Sequence, residues 1–89
     1  MPSIAMSRGY FVELIEIGKS KAPQTERLQQ TELLVEQFLS ELESVGDIEA
    51  ESHRTKFVDL VSKALIEPPT GESTKLVFNH AYSLLTGNI

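Results

Sequence analysis

Three features of this 89-residue chain predict an all-α fold, a small antiparallel four-helix bundle. Apolar residues recur at helical spacing in four segments, and glycine or proline punctuates the boundaries between them. The connections are short, which makes successive helices antiparallel neighbours. The helices are placed at about residues 8–18, 23–45, 48–66 and 73–86, in one domain spanning 1–89 with residues 1–7 as a flexible lead-in.

The first segment is dense in apolar residues: Tyr10, Phe11, Val12, Leu14, Ile15 and Ile17. Phe11, Leu14, Ile15 and Gly18 follow i, i+3, i+4, i+7 spacing, and Tyr10, Leu14 and Ile17 make a second line. The same composition suits a strand. Helix is favoured because Glu13 and Glu16 then share one side, whereas a strand puts them on opposite faces. Gly18, followed by Lys19 and Lys21, suits a helix C-terminus, and Pro23 suits the first turn of the next helix.

The second segment carries the most regular pattern. Leu28, Val35 and Leu42 alternate with Thr31, Phe38 and Val45 at 3-4-3-4-3 spacing, and Leu34 and Leu39 widen the stripe. A stripe that broad predicts a central helix packed against two neighbours. It stops at Gly46. Asp47 or Ser52 then caps the third helix, whose Phe57, Leu60, Val61, Ala64 and Leu65 repeat the helical template. Asp59 and Lys63 form a favourable i, i+4 pair on the other side. Pro68 ends the helix near Ile66. After the rigid turn of residues 67–72, the fourth helix presents Val77, Phe78, Ala81, Tyr82, Leu84 and Leu85, and Gly87 terminates it.

Composition narrows the function. The chain has no cysteine, which removes disulfides and thiolate metal sites and fits a cytoplasmic protein. No apolar run approaches the ~18 residues of a membrane span. Glu13 and Glu16 interrupt the apolar patch behind Arg8, so it does not read as an export signal. The net charge of −5 is uneven: residues 23–52 hold eight acidic residues against Arg27 alone, and the remainder is mildly basic. An acidic middle disfavours nucleic acid and suits a basic protein partner.

The search for chemistry turns up little. No G-x-S-x-G accompanies His53 or His80, so no catalytic residue is assigned and no enzyme is expected. Glu49 and His53 share a helical face, but His53 also continues the Phe57–Leu60–Ala64 line at the rim of the core. Neither histidine has a glutamate three residues before it, which excludes the carboxylate-bundle metal motif. His80 lies between Leu76 and Leu84, without the lysine and glycine that follow the histidine of phosphotransfer bundles. No metal or cofactor is expected. Arg54, Lys56 and Lys63, with Asp59 among them, are the best basic cluster, and they support only the alternative of a small nucleic-acid-binding regulator.

Surface residues carry the leading expectation. The first helix holds more apolar positions than one face buries, with Tyr10, Val12 and Ile17 as the surplus, and such a stripe suits a partner or a homodimer. Glu41, Glu43, Asp47, Glu49 and Glu51 form an acidic edge that would select and orient a basic target. The expected function is therefore a non-enzymatic helical protein of regulator, inhibitor, immunity or chaperone type. It would act through protein–protein interaction and not on membranes.

Overall fold

Residues 10–17 are helical, which decides the one segment whose composition also suits a strand. In a computed structural model describing residues 3–67 and 71–87, the chain forms α1 (Ser3–Lys19), α2 (Gln24–Leu42), α3 (Asp47–Ile66) and α4 (Glu72–Thr86). No helix among the described residues is long and apolar enough to cross a membrane.

The boundaries differ from the expected ones for local reasons. Helix α1 starts at Ser3, so residues 3–7 are helix and not lead-in, while residues 1–2 lie outside the described part. Ser7 is buried, and its hydroxyl donates to the His53 carbonyl at 3.0 Å, docking this early turn on α3. Helix α2 stops at Leu42 instead of Val45. Its end tightens into i→i+3 bonds, with the Glu43, Ser44 and Val45 amides donating to Ser40, Glu41 and Leu42. Neither Asp47 nor Ser52 caps α3. Gly46 holds the cap position, and its carbonyl accepts from the Ala50 amide at 2.8 Å. Pro23 likewise precedes the first residue of α2, and its carbonyl accepts from the Arg27 amide. At the far end Gly87 adopts the left-handed conformation (φ 75°) and donates to Ser83, as its position predicts. Of the 67–72 turn, residues 68–70 lie outside the described part.

Side-chain pairs fix the helix directions. Ser7 lies beside His53 and Tyr10 beside Phe57, so α1 and α3 run parallel. Phe11 stacks on Phe78 and Gly18 abuts Thr74, so α4 runs antiparallel to α1. Tyr10 meets Phe38 while the Arg27 guanidinium donates to the Gly18 carbonyl, which makes α2 antiparallel to α1 as well. The four helices form the expected small helical bundle, with the successive helices α2 and α3 across its diagonal.

Its centre is not where the sequence pattern puts it. Helix α1 packs most extensively on α3, and α2 is the least engaged of the four. Successive helices α2 and α3 touch least of any pair. The α2 stripe of Thr31, Leu34, Val35, Phe38 and Leu42 is buried as expected, but α1 is apolar around more of its girth and reaches three neighbours. Tyr10 turns toward Phe38 and Phe57, with ring centroids 5.2 and 6.3 Å away, while adjacent Phe11 stacks on Phe78 at 5.5 Å. Phe38 and Phe57 close the trio at 4.5 Å. Each fully buried side chain of this size contributes about 2–3 kcal/mol of hydrophobic stabilisation.

Candidate functional site

An open notch of about 390 Å³ lies at the end where α2 and α3 join. Leu39 and Leu42 from α2, with Ala50 from α3, supply apolar lining. Glu43 stands on one wall, and Asp47 and Glu51 stand on the other. The local cause lies in spacing. Leu39 and Glu43 are one turn apart at the end of α2, and Asp47 and Glu51 are one turn apart at the start of α3. Three of the five acidic residues expected on a partner surface therefore surround one depression.

All three carboxylate residues are exposed, and none forms an ion pair with another described residue. Asp47 also lies in the first turn of α3, where its charge complements the helix dipole. Arg54 closes the notch, yet its guanidinium is drawn away, donating to the Leu85 carbonyl in the last turn of α4 at 2.9 Å. Among the described residues, no three histidines or carboxylates converge closely enough to hold a metal ion. The carboxylates thus frame an area and not a point.

Glu41 and Glu49 are exposed but do not line the notch. Glu41 faces α1. The Tyr10 phenol is pushed up to about 12, first by burial and then by hydrogen bonding and repulsion from the Glu41 carboxylate, with Glu13 adding to the repulsion.

The apolar trio expected on the first helix is not one surface. Tyr10 and Ile17 are half-buried and packed against the core, whereas Val12 projects from the far side of α1, 49% exposed. Apolar density that looks like surplus is covered, because α1 has neighbours on three sides. Ile17 does edge a second, shallower groove between α1 and α2, with Leu33, Leu34, Gln30 and Gln37.

The histidines take separate roles. His53 is inside the core and not at its rim, 3% exposed, and its Nδ1 has no hydrogen-bond partner among the described residues. His80 Nε2 lies 3.0 Å from a Glu32 carboxylate oxygen, linking α4 to α2. The basic cluster on α3 is largely engaged: Lys63 pairs with Asp59 at 3.3 Å, the expected i, i+4 pair, and Arg54 is held at Leu85.

Sequence reasoning found the rim of the notch but not its lining. Leu39 and Leu42 read simply as parts of a buried stripe, Arg54 reads as part of a basic cluster, and Ala50 carries no signal of its own. The available signal was the pair of one-turn repeats on either side of Gly46. Comparisons with protein-family models, with curated proteins and with solved structures give no match for this chain, and the notch is therefore read from its own residues.

Proposed function

We propose that the protein acts by binding another protein, without catalysing a reaction, and that the α2–α3 notch is the contact surface. The observation that carries this reading is the meeting of Glu43, Asp47 and Glu51 around the apolar side chains of Leu39, Leu42 and Ala50. Apolar lining supplies affinity, and unpaired carboxylates select a basic partner and orient its approach. A cytoplasmic setting belongs to the same proposal and rests on the cysteine-free composition. Nucleic acid draws less support, because Arg54 is held at the Leu85 carbonyl and Asp59 offsets Lys63 on the surface of α3.

The test compares the wild-type chain with a Glu43→Gln, Asp47→Asn, Glu51→Gln variant as bait in native extract. The expected result is one stoichiometric protein retained by the wild type at low salt, released at high salt and not retained by the variant. Circular dichroism of the two baits should be the same. Retention of the same partner by the variant, at equal strength and equal salt dependence, refutes the notch as the contact surface.

A further inference from the structure

Resting on the protein-binding reading, we infer that the notch takes a basic amphipathic helix from the partner, seated in the groove that α2 and α3 leave between them. Three observations fix the occupant. First, the depression opens at the joined ends of α2 and α3, where Leu39, Leu42 and Ala50 line it between the acidic side chains. Leu39 is only half-buried, which leaves apolar area for it to cover.

Second, the charge has helical periodicity. Asp47 and Glu51 are i, i+4 on α3, about 5–6 Å apart between Cβ atoms, which matches lysines or arginines at i and i+4 of an opposing helix. Glu43 on the facing wall meets a cation from the occupant's other flank. An occupant with a leucine-type stripe on Leu39, Leu42 and Ala50 and cations on both flanks satisfies lining and rim together.

Third, the carboxylates do not converge, so a compact cation is not the fitting ligand, while a spaced row of cations is. Arg54, the one cation lining the notch, is tethered to Leu85 and offsets only part of the charge of the three carboxylates. The shallower α1–α2 groove offers no comparable choice, since Glu13 is the one charged residue along it.

The probe is a fluorescently labelled peptide of about 14 residues, roughly 21 Å as a helix, made of leucine and lysine with the leucines on one helical stripe. A second peptide has the same composition in scrambled order. Anisotropy titrations and amide-resonance mapping are run on the full chain, on Glu51→Lys and on Ala50→Phe, which fills the notch. The expected result is shifts confined to residues lining the notch, at least tenfold tighter binding of the ordered peptide than of the scrambled one, and a tenfold or greater loss in each variant. Equal binding of both peptides at the notch overturns the helix inference and leaves the protein-binding reading standing. Absence of notch shifts with either peptide overturns both. The same shifts produced by raising the concentration of the unliganded chain would make a second copy the occupant and overturn the inference. Unchanged affinity in Ala50→Phe, if Glu51→Lys also binds as wild type, overturns the seat of the helix.

Discussion

Gly18→Ala tests how this bundle is held together, because the same substitution at Gly9 should have the opposite effect. Both glycines lie within α1. A Cβ at Gly9 meets nothing within 4 Å, so Gly9→Ala gains helix propensity alone, about 0.5–1 kcal/mol. A Cβ at Gly18 lands on Thr74, 2.9 Å from its Cα and closer still to its Cγ2. Ordinary contact begins at 3.4 Å, so α4 must withdraw by about half an ångström to clear the Thr74 backbone and by more to clear its Cγ2. Thr74 has little freedom to rotate aside: it is fully buried, and its hydroxyl donates to the Gly71 carbonyl at 2.7 Å. Overpacking of this kind costs about 1–3 kcal/mol. The propensity gain offsets part of it, less than at Gly9 because Gly18 is next to the end of α1, and leaves a net loss of about 1–2 kcal/mol. Urea unfolding followed by helical circular dichroism should show the Gly18→Ala midpoint lower by roughly 1 M and the Gly9→Ala midpoint higher by a fraction of that, at a slope of about 1 kcal/mol per molar for a small domain. A Gly18→Ala midpoint at or above the wild-type value would refute the close approach of α4.

Two further outcomes follow from the packing. Phe57→Ala, at a fully buried site touching both Tyr10 and Phe38, should destabilise the bundle by about 3–5 kcal/mol, while Leu76→Ala at a 46% exposed site stays within about 0.5 kcal/mol. Similar losses at the two sites would contradict the aromatic trio as the centre of the core. Tyr10 has a folded pKa near 12 against an ordinary 10.0, so the native state holds this proton more tightly than the unfolded chain. Its contribution is present in full below about pH 10 and is lost as pH rises toward 12. In a Tyr82→Phe background, tyrosinate absorbance should show Tyr10 titrating late, and Glu41→Gln should bring it part of the way back. Titration at 10 in both would remove the contact between Tyr10 and Glu41.

Helical class and the α2 stripe were legible in the sequence because an amphipathic period needs only local spacing and burial to be realised. Thr31, Val35, Phe38 and Leu42 are buried for that reason. The Gly87 stop was legible too, since a left-handed terminator selects glycine locally. The start of α1 was not, because Ser7 is held by a carbonyl 46 positions away on α3. Gly18 illustrates the same divide: its sequence context suits a helix end, but in the bundle its missing side chain makes room for α4.

The same limit governs the candidate site. The sequence by itself determined four helices, an acidic middle and the residues of an acidic edge, since composition and period need no partner to be read. Only the tertiary structure decided that Tyr10 and Ile17 face the core, that Glu41 turns to α1, and that Glu43, Asp47 and Glu51 share a depression. Which helix faces are covered depends on which helices approach most closely. In this chain α1, α3 and α4 pack closely on one another, and α2 and α3 touch least of any pair.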